Sequence, residues 1–108
     1  MAQRFLERQG LVILGRNVRT PGGELDIVAQ DGPTVIFVEV RSRRSRTFGR
    51  PQESITAAKR RHLLESAQWF LQERGLDNAP WRVDLITLEL MPEGQGPYLE
   101  HIPNAVQG

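Results

Sequence analysis

Short apolar runs alternate with punctuating glycines and prolines along this chain, and their spacing predicts most of its elements. Ala2 to Arg8 carries Phe5 and Leu6 as apolar contacts and stops at Gly10, a helical ending. Leu11 to Leu14 (LVIL) starts a strand that continues through Asn17, Val18 and Arg19 to a turn at Pro21, Gly22 and Gly23. Glu24 to Ala29 and Val35 to Val40 are rich in β-branched residues and flank Asp31, Gly32 and Pro33, which predicts a hairpin. From Pro51 through Arg74 the period turns helical. Leu63, Leu64, Ala67, Phe70 and Leu71 recur at helical spacing, Thr56 suits the N-cap, and Gly75 can close the C-terminus. Trp81 to Leu90 reads as a fourth strand. Tyr98 to Ile102 reads as a fifth after the loop from Pro92 to Pro97, and Asn104 to Gly108 as a frayed tail. The order α-β-β-β-α-β with a late β predicts an α/β domain, a mixed central β-sheet flanked by helices.

Composition narrows the class. With 108 residues, 39% hydrophobic and 25% charged, the chain suits a single domain, 1–108. No apolar run approaches the roughly 18 residues needed to cross a bilayer, and MAQRFLERQG is charged and amphipathic, unlike a secretion signal. The expectation is a cytoplasmic protein without membrane contact. The absence of cysteine excludes a disulfide framework, a thiolate zinc site and a cysteine nucleophile. The two histidines are isolated in sequence, so His62 and His101 read as surface or packing residues and any metal would need oxygen ligands.

The net charge of +1 says little about partners, but its distribution says more. Arg41 to Arg50 (RSRRSRTFGR) holds five arginines and no acid, and Lys59, Arg60, Arg61 and His62 form a second basic cluster. Arg43, Arg44, Arg46, Arg50, Lys59 and Arg60 are therefore candidates for phosphate contacts, against the alternative of a solvated arginine-rich surface.

Along the hairpin, side chains alternate faces, so Glu24, Asp26 and Val28 share one side of their strand, and Val35, Phe37, Glu39 and Arg41 one side of the next. A four-residue loop that pairs Gln30 with Val35 would set Asp26 opposite Glu39 and Glu24 opposite Arg41, and a two-residue turn would set them diagonal; either register keeps all four polar groups on the same face. Two carboxylates about 5 Å apart repel by roughly 3 kcal/mol at an effective dielectric near 20, so a positive charge is required beside them. A divalent ion held by carboxylate oxygens, Mg²⁺ or Mn²⁺, would supply it. So would Arg41 bridging Glu24 and Glu39 in a structural salt bridge. Asp84, inside an apolar strand and two residues from Arg82, reads as a paired structural acid.

GELDIVAQDGPTVIFVEVRSR, followed by FGRPQESITAAKRRHL and later WRVDLITL and IPNAV, resembles the uncharacterised YraN family over nearly the whole chain. That family is considered similar to restriction-endonuclease-like, or PD-(D/E)xK, nucleases and in particular to archaeal Holliday junction resolvases. The resemblance implies a restriction-endonuclease-like fold in which Asp26 and Glu39 hold the metal. Arg41 stands where the superfamily carries a lysine, and Glu24, matching the G-E-x-D motif, joins them as a candidate catalytic residue that could supply an additional ligand through water. It also implies that Lys59 occupies a basic position of the family. The relatives carry a further acid in a longer first helix upstream of AQRFLERQG, so weaker ion binding is expected of this chain.

Arginine is not a neutral replacement at that position, since it stays protonated and offers a planar fork of donors, whereas lysine can exchange a proton. The leading expectation is a nucleic-acid-binding protein, with DNA as partner, on a nuclease-like fold capable of Mg²⁺-dependent phosphodiester hydrolysis weakened by Arg41. A homodimer, as junction resolvases form, is compatible with it, and the sequence leaves the oligomeric state open. The alternative is a catalytically inactive interaction module whose arginine-rich face docks to a protein or to RNA.

Overall fold

The computed structural model describes residues 1–43, 55–89 and 98–106, with the side chain of Arg43 left out of account. In chain order the elements are α1 (Ala2–Arg8), β1 (Val12–Thr20), β2 (Gly23–Asp31), β3 (Thr34–Arg43), α2 (Ala57–Glu73), β4 (Trp81–Glu89) and β5 (Tyr98–Val106). The strands form one sheet in the order β1-β2-β3-β4-β5. All neighbours are antiparallel except β3 and β4, which are parallel. A parallel pair requires a crossover, and α2 supplies it.

Local chemistry explains each element. The ladder of β2 and β3 contains the Gln30–Val35 pair and closes one step further at Asp31–Thr34, so the loop is two residues long rather than four. Gly32 has φ +57°, which lets the chain reverse in that space. Thr56 caps α2, its hydroxyl accepting from the Lys59 amide at 3.1 Å. The helix starts after this cap, and residues 51–54 lie outside the described residues. At its other end Gly75 takes φ +65°, the Leu76 amide bonds the Leu71 carbonyl and the Gly75 amide that of Gln72. Those two bonds form a Schellman closure.

Each face of the sheet carries one helix. Leu63, Ala67, Phe70 and Leu71 of α2 pack on Leu25, Val28, Val35, Phe37, Val83 and Leu85, with the Phe37 and Phe70 rings edge to face at 5.8 Å. Ala2 and Leu6 of α1 pack on Ile27, Ala29, Ile36, Val38 and Ile86 across the opposite face. Covering both faces explains why Val35–Val38 and most of Val83–Ile86 are apolar in succession rather than alternating. Among the described residues no helix is long and apolar enough to cross a membrane.

β5 runs past Ile102, where the sequence predicts its end, to Val106, whose side chain is buried. The reason is a side chain. Asn104 adopts φ +53° in a bulge, and its amide donates to Asp84 Oδ1 at 2.9 Å, so an acid replaces the missing ladder carbonyl and pairing resumes at Val106. Only 107–108 of the expected frayed tail lie outside the described residues.

Candidate functional site

Glu39 lies in β3 on the side covered by α2 and is only 6% exposed. A carboxylate so placed loses hydration and needs compensation. Lys59, in the first turn of α2, brings its ammonium to 3.6 Å from Glu39 Oε2, an ion pair longer than a hydrogen bond. Oε2 is itself buried and accepts no hydrogen bond among the described residues. Burial is the main force raising the Glu39 carboxyl above its ordinary pKa. The negative charge of Asp26 pushes it the same way, and Lys59 and Arg41 pull it back.

Asp26 reaches this neighbourhood by breaking the strand pattern. The β2–β3 ladder ends at Ile27–Val38, and beyond it the Val40 amide donates to Asp26 Oδ2 at 2.9 Å. The side chain therefore caps β3 in the seam where the two strands part. Across β1, Arg16 pairs with Ile27 and Val18 with Leu25, so Asn17, at φ +50°, stands opposite Asp26. Leu25 and Val28 both enter the α2-side core as a result, although strict alternation assigns them to opposite faces. Asp26 in turn lines a cleft beside α1. The four polar groups of the hairpin thus do not share one face: Glu39 meets α2, while Asp26 sits in the seam and is reached from the α1 side.

The other candidate residues separate. Glu24 is exposed and pairs in register with Arg19 of β1, not with Arg41. Arg41 is half-buried, two residues beyond Glu39, and near enough to lower its pKa. Arg60 is exposed on α2, and Arg43 ends β3. Arg44, Arg46 and Arg50 lie outside the described residues. No group of three or more acidic or histidine side chains is arranged to hold a metal among the described residues. Asp26 and Glu39 are the two carboxylates near enough to influence one another here, and carboxylate oxygens are the donors a hard cation prefers.

Asp84, completely buried, forms a separate polar knot. Arg82 reaches both its oxygens, Nε to Oδ1 at 2.9 Å and Nη2 to Oδ2 at 3.3 Å. His101 Nε2 lies 2.8 Å from Oδ2, and its ring meets Phe5 edge to face at 5.8 Å. Asp84 is thus the paired structural acid that its spacing from Arg82 indicates. The part played by His101 escapes the sequence, because it depends on the shifted register between β4 and β5. The sequence marks Lys59 as a cation of a basic cluster and a candidate phosphate contact, but nothing in its spacing shows that it points at Glu39.

Residues 1–88 match the family model described as "Uncharacterised protein family UPF0102". A UPF0102 protein of Syntrophotalea carbinolica is 49% identical over 105 residues, covering 97% of this chain and 84% of that relative. UPF0102 proteins of Roseiflexus castenholzii and Geobacter metallireducens are each 45% identical over 108 residues, covering 99% of this chain and 87% and 86% of the relatives. The match runs through the hairpin, the crossover helix and β4, and on it the chain belongs to the uncharacterised family UPF0102, the YraN family.

Proposed function

We propose that this chain is a nucleic-acid-binding protein with a restriction-endonuclease-like fold, in which Asp26 and Glu39 hold Mg²⁺ or Mn²⁺ for phosphodiester hydrolysis on DNA. One observation carries the reading: Glu39 is buried within the influence of a second carboxylate, and its Oε2 accepts no hydrogen bond among the described residues and meets only the Lys59 ammonium at 3.6 Å. A fold seldom retains such an acid for stability alone, since burying an incompletely compensated charge is costly. The α-β-β-β-α-β order around a mixed sheet is the architecture this fold reading requires.

A bound divalent ion would polarise a phosphoryl oxygen and lower the pKa of a coordinated water. The chain's own residues do the rest. Asp26, tied to the Val40 amide through Oδ2, holds a fixed direction in the seam. Lys59 provides the ammonium that Arg41 does not, reaching Glu39 from α2 rather than from β3. Arg41 keeps a permanent charge that stabilises an extra negative charge on phosphorus.

The ion pair between Lys59 and Glu39 also favours a second reading, an inactive module in which the pair is structural and the basic surface docks to RNA or protein. Incubation of the protein with linear, nicked and four-way-junction DNA in Mg²⁺ or Mn²⁺ separates the two. Cleavage abolished by Asp26→Ala supports the nuclease. No cleavage, or cleavage that survives Asp26→Ala, supports the module.

A further inference from the structure

A cleft of about 640 Å³ lies between α1 and the sheet, lined by Arg4 and Glu7 of α1, Arg16 and Asn17 of β1, Asp26 of β2 and Val40 of β3. Arg4 and Arg16 are exposed, and among the described residues no ion pair or hydrogen bond engages either guanidinium. Two uncommitted guanidiniums flanking an open path that leads to an acid are suited to the planar oxygens of phosphate groups. Asn17 adds an amide, and its left-handed backbone is what turns this part of β1 opposite Asp26.

We infer that this cleft is the entry channel for the phosphodiester backbone, with Arg4 and Arg16 holding the phosphates that flank the one presented to Asp26. The inference rests on the reading of Asp26 and Glu39 as a metal-binding pair, because charge decides the matter. The charged side chains that line the cleft, Arg4 and Arg16 against Glu7 and Asp26, sum to zero. A divalent ion at Asp26 turns the cleft positive. Backbone binding in the cleft therefore depends on the ion, unlike binding to the exposed Arg60 and Arg61 of α2, which lacks this requirement.

The ligand chemistry, a sugar-phosphate backbone, is common to DNA and RNA, and fluorescein-labelled oligonucleotides of each serve as probes. Binding is followed by anisotropy as a function of salt, in Ca²⁺ to limit cleavage and in EDTA. Arg4→Ala and Arg16→Ala are each expected to weaken binding in Ca²⁺ about tenfold and to lower the salt slope by about one unit. Neither should change binding in EDTA. Arg19→Ala, on the same strand as Arg16 but facing Glu24 of β2, should change neither condition. Thermal unfolding of each variant verifies that the fold is kept; surface arginines give no reason for its loss. If the wild type binds more tightly in Ca²⁺ and both variants bind as it does, the channel is overturned and the metal reading stands. If Ca²⁺ leaves wild-type binding of DNA and RNA unchanged from EDTA, the channel and the metal reading both fail. A loss confined to the RNA probe keeps the channel and reassigns its substrate.

Discussion

Lys59 Nζ lies 3.6 Å from Oε2 of Glu39, joining the first turn of the crossover helix to a carboxylate buried in β3. The helix cap fixes this contact: the Thr56 hydroxyl holds the Lys59 amide, so the side chain leaves the helix from a defined position. The ammonium remains 37% exposed, and the pair is therefore partly screened. Lys59→Met keeps the aliphatic stem and removes the charge. It should destabilise the protein by about 1 kcal/mol, the low end for a buried group that loses its partner, read by urea unfolding at neutral pH. It should also reduce Mg²⁺-dependent cleavage about 100-fold, the scale of a lost electrostatic donor. Arg41→Lys should leave cleavage at or above the wild-type rate.

The raised pKa of Glu39 makes stability depend on pH in a definite sense. The folded chain holds this proton more tightly than the unfolded chain, so between the ordinary value of 4.5 and the raised one the folded state carries more protons. Stability contributed by this group then falls as pH rises through that window and is level above it. Glu39→Gln cannot titrate. The stability of wild type relative to Glu39→Gln should decline with rising pH above 4.5, in a series of urea unfolding curves. Divalent cations should show the opposite trend and bind the wild type more tightly as the same proton leaves.

At Asp26 two substitutions separate structure from chemistry. Asn retains an oxygen for the Val40 amide, while Ala leaves that amide without its acceptor. Asp26→Ala should cost about 1 kcal/mol and Asp26→Asn less, by the same unfolding measurement. Cleavage should be lost in both.

The knot around Asp84 should behave as structure alone. Asp84→Ala strands Arg82, His101 and the Asn104 amide around a fully buried site and should cost about 3 kcal/mol. At temperatures where the variant is folded, its metal affinity by calorimetry should match the wild type.

The two acids that depart from simple expectation, Asp26 and Asp84, explain where sequence patterns stop being readable. Element order, the capping by Thr56 and the pairing of Gln30 with Val35 follow from local signals of period, turn and cap. Both acids instead use a side chain to accept an amide from a neighbouring strand where the regular ladder fails, at Val40 and at Asn104. Such a substitution changes strand length and facing while the residue pattern remains that of an ordinary strand. Alternation thus assigns Asp26 to the face of Glu39, whereas the structure holds it in the seam between β2 and β3. In the same way, Arg41 is marked by its place in a motif, but the contact of Lys59 with Glu39 becomes visible only once α2 is folded over β3.

The binding of an ion by Asp26 and Glu39 is the claim on which the others depend, and a crystal soaked in Mn²⁺ tests it most directly. The expected result is an anomalous peak at about 2.0–2.3 Å from a carboxylate oxygen of each residue, lost in Glu39→Gln. A structure with no peak at this position, in which Lys59 alone still faces Glu39, would contradict it.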